Sequence, residues 1–311
     1  MGKELSGLTV SVPLFFQDNE SIDFDTLDRY LHDVCQNENV AAIYSMAYNT
    51  RYRMLSDSEV YEVNKFIVEK CNSFNKEVYV GHPYSFNKKS LKEYFLKISD
   101  LGVSGVSMLY PERYFGDDKI IIEFLKYPNK FGLSTVLHEM KLISGFDGEL
   151  MDWPLELIDK VFDQVNLVAV KEDSKNDEIA RYVLNLCQKN DVSFVLAGGG
   201  KRRAQKFFDL GIDTWLNGST MFAPQLIDVV YTKFMENDEA YIQNYLQLVE
   251  EPFFDKVVSR FGWHVSHKAA LEYFGYGKRY ERFPHPVMQE NDYKNCVKVF
   301  DEIHEALKRL R

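Results

Sequence analysis

The chain reads as an α/β protein, a (β/α)8 barrel of eight parallel strands wrapped by helices, with a helical extension at its C-terminal end. Three observations lead there. Apolar runs of strand length alternate with longer amphipathic stretches. There are eight such runs, and at 311 residues that number suits a closed barrel better than an open doubly wound sheet. No G-x-G-x-x-G follows the first run and no Walker-type loop occurs, which argues against a dinucleotide-binding sheet.

The strands fall at 8–16, 41–47, 77–83, 105–110, 134–139, 167–173, 193–199 and 213–218. Asp23 opens the first helix, through Phe24-Asp25-Thr26-Leu27. Ser56-Asp57-Ser58-Glu59 is a capping box for the second, because a serine and a glutamate three apart satisfy each other's backbone amides. Ser90, Asp117 and Pro154 start others. After about Pro224 the helical periodicity continues without strands, through 241–251, 252–261, 266–274 and 291–310. The barrel is assigned to 5–236 and a helical region packed on it to 237–311. No Pro/Gly/Ser-rich linker, low-complexity segment or repeat beyond the βα unit stands out.

Composition narrows the function. A chain with 45% hydrophobic and 27% charged residues is ordinary for a globular protein. The net charge is -10 and no long basic tract occurs, so nucleic acid is excluded as an expected partner. No apolar stretch approaches the ~18 residues of a membrane span, and Met1-Gly2-Lys3-Glu4 does not open a signal peptide. Cys35, Cys71, Cys187 and Cys296 are far apart in sequence and lack metal or redox spacing, which suits reduced thiols in a cytoplasmic protein. No ligand cluster such as H-E-x-x-H appears, so neither metal nor organic cofactor is expected.

Lys171 is the most informative residue. The apolar run Leu167-Val168-Ala169-Val170 delivers its amine to the C-terminal end of a strand, beside Glu172-Asp173-Ser174. Barrel active sites sit at that end. Burial disfavours an ammonium ion, so such a lysine can become a neutral nucleophile that forms a Schiff base with a carbonyl. The alternative is a lysine salt-bridged to Glu172 or Asp173, and on this strand alone that alternative is the stronger one.

The rest of the chain reverses the order. Val10-Ser11-Val12-Pro13-Leu14-Phe15 with Asp18 to Leu27, Leu55-Ser56-Asp57-Ser58-Glu59, Gly102-Val103-Ser104-Gly105-Val106 with Pro111, the Asn166-to-Ser174 strand, Leu210-Gly211-Ile212-Asp213, Val265-Ser266-His267-Lys268-Ala269-Ala270 and Arg282-Phe283-Pro284-His285-Pro286 fall in order. Together they resemble the dihydrodipicolinate synthase / N-acetylneuraminate lyase family over nearly the whole chain. The resemblance implies a TIM barrel with C-terminal helices and a homotetramer built from dimers. It also implies an imine between Lys171 and pyruvate or a related 2-keto acid.

The chain departs from that pattern at four places. Where the family has G-T-T-G-E after its second strand, this chain has Ala47-Tyr48-Asn49-Thr50-Arg51. Backbone amides at Asn49 and Thr50 can still hold a keto-acid carboxylate. Tyr48 is either a proton relay or a packed ring. His138 takes the position of the family's general acid/base tyrosine in Val136-Leu137-His138-Glu139. A histidine titrates near neutrality and can move protons there; Glu139 and Lys141 read as surface residues. Arg113 takes the position of a tyrosine that reaches a neighbouring subunit, and suits either a carboxylate grip or an interface ion pair. Gly198-Gly199-Gly200-Lys201-Arg202-Arg203 is either an anion-binding loop at the mouth or a tight turn with solvated side chains, and Asn217 to Thr220 line the same mouth.

The leading reading is an enzyme, a Schiff-base lyase of aldolase or dehydratase type acting on a 2-keto acid. Lys171, His138 and Tyr48 are catalytic; Asn49, Thr50, Arg113, Gly198, Gly199 and Asn217 bind substrate. Dihydrodipicolinate synthase itself, condensing pyruvate with aspartate semialdehyde, is the alternative enzyme. A non-catalytic ligand-binding relative is the alternative of another class, because fold does not decide function.

Overall fold

The structure is a computed structural model. It describes residues 5–45, 54–83, 88–109, 117–140, 145–146, 149–150, 152–197, 200–212, 214–216 and 218–311. Eight parallel strands close a barrel: β1 (Gly7–Ser11), β2 (Val40–Tyr44), β3 (Glu77–Val80), β4 (Gly105–Leu109), β5 (Thr135–Glu139), β6 (Leu167–Glu172), β7 (Ser193–Leu196) and β8 (Thr214–Leu216). Each strand pairs with its sequence neighbours, and β1 pairs with β8 to close the ring. Each of the eight sequence-read strands has its counterpart; β1 and β2 start one residue earlier than read, and β1, β2, β3, β6 and β7 end earlier. A two-residue antiparallel hairpin, Gly145–Phe146 with Glu149–Leu150, was not anticipated.

The helices begin where their caps stand. Asp23 accepts from the Thr26 amide to start α1 (Phe24–Cys35). Ser56 and Glu59 form the expected reciprocal box on α2 (Asp57–Asn72). Asp117 caps Asp118–Leu125, and Asn176 caps Asp177–Asn190 through the amides of Glu178 and Ile179. Each helix presents an apolar stripe to the outer face of the sheet, and the main core lies in that layer between strands and helices. A second, smaller core fills the barrel itself, with Ala42, Tyr44, Tyr79, Val136 and Ala169. Gly105 belongs to the inner layer, since a Cβ there would come within 2.7 Å of Val168 Cγ1 and 2.9 Å of Val136 Cγ2. Close packing leaves no room for it.

Two sequence expectations are corrected here. The helical pattern was broken at Pro252, but residues 239–261 form one continuous helical run, with π-type turns at Leu246–Glu250 and Phe254–Val258 on either side of the proline. The wider turns absorb the missing amide and the ring's bulk, which is where such turns are commonly found. The cysteines are all buried and unbridged, as expected of thiols, but Cys35 and Cys71 are not far apart. Their Sγ atoms lie 3.6 Å from one another, because α1 and α2 pack side by side.

The C-terminal helices, among them Trp263–Tyr273 and Glu290–Arg309, are tied to the start of the barrel by two cations. Lys268, almost fully buried, donates to the Leu14 carbonyl at 2.6 Å and the Tyr280 carbonyl at 3.2 Å, and faces the Phe15 and Phe16 rings. Arg282 donates to the Glu20 and Met54 carbonyls and grips both carboxylate oxygens of Glu59, at 3.0 and 2.6 Å. The fork-on-carboxylate geometry is the strong form of this contact. It holds the Glu59 carboxyl down at about 2. Among the described residues no helix is long and apolar enough to cross a membrane.

Replacing Lys268 with methionine keeps the stem and removes the ammonium. It deprives the buried Leu14 carbonyl and the part-buried Tyr280 carbonyl of a donor, and Glu281, 3.9 Å away, of a cation. The expected loss is about 3 kcal/mol of unfolding free energy, read by urea denaturation. An unchanged midpoint would mean that this tie does not hold the C-terminal helices to the barrel.

Candidate active site

The alternation of side chains along a strand builds the site. β5 and β6 are parallel neighbours, with His138 opposite Lys171 and Glu139 opposite Glu172. Successive residues point to opposite faces, so His138 and Lys171 share the inside of the barrel while Glu139 and Glu172 share the outside. Asp173, two residues after Lys171, shares its face.

Inside, the Lys171 amine is hydrogen-bonded to His138 Nε2 at 2.7 Å and donates to Asp173 Oδ2 at 3.2 Å. His138 Nε2 and Asp173 Oδ2 are 3.8 Å apart, too long for a hydrogen bond. On its other side His138 Nδ1 meets the Tyr44 hydroxyl at 3.2 Å, and that hydroxyl contacts Ser107 Oγ. The Tyr44 and His138 rings meet edge to face at 5.9 Å, and the Lys171 amine lies 5.7 Å from the Tyr44 ring centroid. Lys171 and His138 are 4% and 2% exposed.

Burial pushes His138 down to about 4, and the Lys171 charge pushes the same way against the opposing pull of Asp173. This corrects the expectation of a group titrating near neutrality: at pH 7 His138 is a neutral base. Burial acts to raise the Asp173 carboxyl, but the charge of Lys171, with Lys175 adding, overrides it. The carboxyl ends well below the usual range. The salt bridge read as the alternative for Lys171 is thus present, with Asp173.

Outside, the two glutamates are buried rather than exposed. Glu172 accepts from the Ser174 amide at 2.9 Å and is paired with Arg203, whose Nη1 lies 2.8 Å from Oε2. Nη1 also donates to the Ala197 carbonyl and Nε to Asp177, so the last basic residue of the Gly-rich run is neither solvated nor at the mouth. It neutralises the back of the β6 strand. Glu139, 1% exposed, has no hydrogen-bond partner for either oxygen among the described residues. Burial pushes its carboxyl up to about 8, with the charges of Glu172, Asp152 and Asp173 adding and the Trp153 amide opposing.

Of the sequence-read site residues, Lys171 and His138 are brought together. Tyr48, Asn49, Thr50, Arg113, Gly198, Gly199 and Asn217 lie outside the described residues. Two groups in contact with the pair, Tyr44 and, except as a salt-bridge partner, Asp173, fall outside the sequence-read site, as does Ser107, which contacts Tyr44. Period-two alternation would have found Asp173 on the face of Lys171. Nothing local in Val40–Tyr44 announces that Tyr44 crosses the barrel to His138. Among the described residues no group of His, Cys, Asp and Glu is arranged to hold a metal.

No family model matches the chain, and no curated protein matches it. Solved structures do match over nearly its whole length. The 4-hydroxy-tetrahydrodipicolinate synthase of Methylacidiphilum fumariolicum SolV superposes with a TM-score of 0.81 at 15% identity, covering 99% of this chain and 98% of its own. The N-acetylneuraminate lyase of Aliivibrio salmonicida superposes with a TM-score of 0.80 at 16% identity, covering 98% and 97%. A prophage protein of E. coli K12 from the dihydrodipicolinic acid synthase family, in complex with pyruvate, gives 0.80 at 15% identity, covering 96% and 98%. The chain therefore has the fold of a TIM barrel with C-terminal helices. It shares that fold with structures of the dihydrodipicolinate synthase and N-acetylneuraminate lyase family.

The buried titrating groups predict opposite pH dependences. Unfolding releases His138 from about 4 to near 6.5, so the unfolded chain binds the extra proton and stability falls as pH drops from 6.5 towards 4. Glu139 is the reverse: the folded carboxyl keeps its proton up to about 8, the unfolded one to about 4.5, so stability falls as pH rises between those values. Glu139→Gln should therefore raise unfolding free energy at pH 8, on the order of 3 kcal/mol. The gain should vanish near pH 4.5. A gain independent of pH would mean that the carboxyl is already ionised in the fold.

Proposed function

We propose that the chain is a distant member of the dihydrodipicolinate synthase / N-acetylneuraminate lyase family. In this reading it is a Schiff-base-forming lyase of aldolase or dehydratase type, acting on pyruvate or a sugar-derived 2-keto acid. The observation that carries the proposal is the Lys171 amine, buried inside the barrel at the C-terminal end of β6, 2.7 Å from a neutral imidazole and 3.2 Å from a carboxylate. An amine of this kind has a base within reach and a counter-ion for the cation it becomes.

The steps balance without a cofactor. The Lys171 ammonium gives one proton to His138 Nε2, and the neutral amine adds to the keto carbon. A second nitrogen proton passes to the new alkoxide, giving a carbinolamine. The imidazolium then returns its proton to that hydroxyl, which leaves as water. Lys171 keeps one hydrogen on an iminium nitrogen, and His138 is neutral again. Asp173, ionised and on the same strand face, balances the iminium charge. The iminium accepts the electron pair released when a C–C bond breaks or a C3 proton departs, and microscopic reversal hydrolyses it.

The proposed carboxylate grip is the backbone at Tyr48, Asn49 and Thr50. Arg113, Gly198, Gly199 and Asn217 are the other proposed substrate contacts. The same reading carries a cytoplasmic homotetramer. His138 in place of the family's tyrosine supports a relay unlike that of dihydrodipicolinate synthase, so condensation of pyruvate with aspartate semialdehyde should stay below about 10⁴ M⁻¹s⁻¹ in kcat/KM. Steady-state turnover at or above that range would favour the synthase reading.

Borohydride reduction in the presence of a panel of 2-keto acids, pyruvate first, should add covalent mass at Lys171. Lys171→Ala should lose the label and remain folded, and His138→Ala should slow labelling by about 10² or more. Labelling of another lysine, or of none with any keto acid, would remove the mechanism and leave the non-catalytic reading.

A further inference from the structure

The orientation of His138 is specified from behind. Its Nε2 lies 2.7 Å from the Lys171 amine, and that amine also donates to the Asp173 carboxylate. An ammonium has only hydrogens to offer. Paired as an ammonium with the Asp173 carboxylate, Lys171 donates and Nε2 accepts, which puts the single proton of the neutral ring on Nδ1. There it faces the Tyr44 hydroxyl at 3.2 Å, whose oxygen accepts it and which is itself hydrogen-bonded to Ser107 Oγ. The opposite arrangement, with Tyr44 donating to Nδ1, would put the ring proton on Nε2. That arrangement would require the neutral Lys171 amine to accept from Nε2 at 2.7 Å.

We propose that Tyr44 is a positioning residue whose hydroxyl, itself oriented by Ser107, holds His138 in the Nδ1–H tautomer and aims Nε2 at the Lys171 amine. Which ring nitrogen is free to act as the base is decided by the hydrogen bond that the other one makes. The same bond limits rotation of the ring, since the Tyr44 ring already meets it edge to face. The catalytic use of this arrangement rests on the Schiff-base reading, but the tautomer itself exists in the free protein and needs no substrate.

Tyr44→Phe isolates the hydroxyl, because the phenyl ring keeps the aromatic contact with His138 and the face presented to Lys171. In ¹⁵N-histidine-labelled protein at pH 7, His138 is assigned by its disappearance in His138→Gln. The wild-type ring should show Nδ1 as the protonated nitrogen and Nε2 as the bare one. In Tyr44→Phe the Nε2–H form should become populated. If the keto-acid trapping rate is measurable, it should fall by about 10² with the half-saturating keto-acid concentration unchanged. A wild-type ring carrying its proton on Nε2 overturns the assignment, as does a Tyr44→Phe ring that stays wholly Nδ1–H. Should Tyr44→Phe fail to fold, Ser107→Ala probes the same chain one bond further back. It should also populate the Nε2–H form, and an unchanged ring there overturns the proposal. Failure of keto-acid trapping in the wild type would count against the Schiff-base reading and leave the tautomer result standing.

Discussion

Parallel pairing of β5 with β6 in one particular register underlies the whole site. With His138 opposite Lys171, the next pair is necessarily Glu139 opposite Glu172, on the other face. A slip of one residue would turn the amine and imidazole outward into the helix layer and bring two glutamates into the barrel. The register is held by the sheet on both sides, by the small inner residues beneath, and by Gly105, where no side chain could be accommodated. The chemistry at the mouth therefore depends on apolar packing several residues below it.

Burial sets the charge states on both faces, with different outcomes. Inside, Lys171 and Asp173 are close enough to pair, so the carboxylate stays ionised, and the imidazole beside the amine stays neutral. Outside, two carboxyls side by side have one guanidinium between them. Arg203 goes to Glu172, and Glu139 is left to hold its proton. Removing charges from water costs several kcal/mol unless each is matched. The arrangement resolves this by pairing where a partner exists and by protonation where none does. The basic run after β7 thus contributes Arg203 to the architecture of the strand that bears Lys171.

The C-terminal helices serve the same end of the barrel. Lys268 and Arg282 reach back to the carbonyls after β1 and to the capping glutamate of α2. One ion pair therefore both caps a barrel helix and fastens the extension. The fold of known lyases is shared across barrel and extension together, in keeping with this mutual support.

The amino-acid sequence by itself determined the eight strands, their alternation with helices and the position of Lys171, because apolar periodicity and capping residues are local properties. The capping box at Ser56 and Glu59 was legible to the residue. His138 was legible as a site residue through its place on the resembling strand, but its neutral state was not, since an imidazole's protonation follows from surroundings contributed by other strands. Glu139 read as a surface residue because charge in a sequence suggests exposure. Only the pairing of β5 with β6 and the approach of Asp152 and Trp153 bring it into the interior. Tyr44 and Ser107 lie 63 residues apart, on strands that are not neighbours in the sheet, and both lie far from His138 in sequence. Their contact exists because a closed barrel points side chains from all its strands at one axis, and no local pattern encodes which of them meet there.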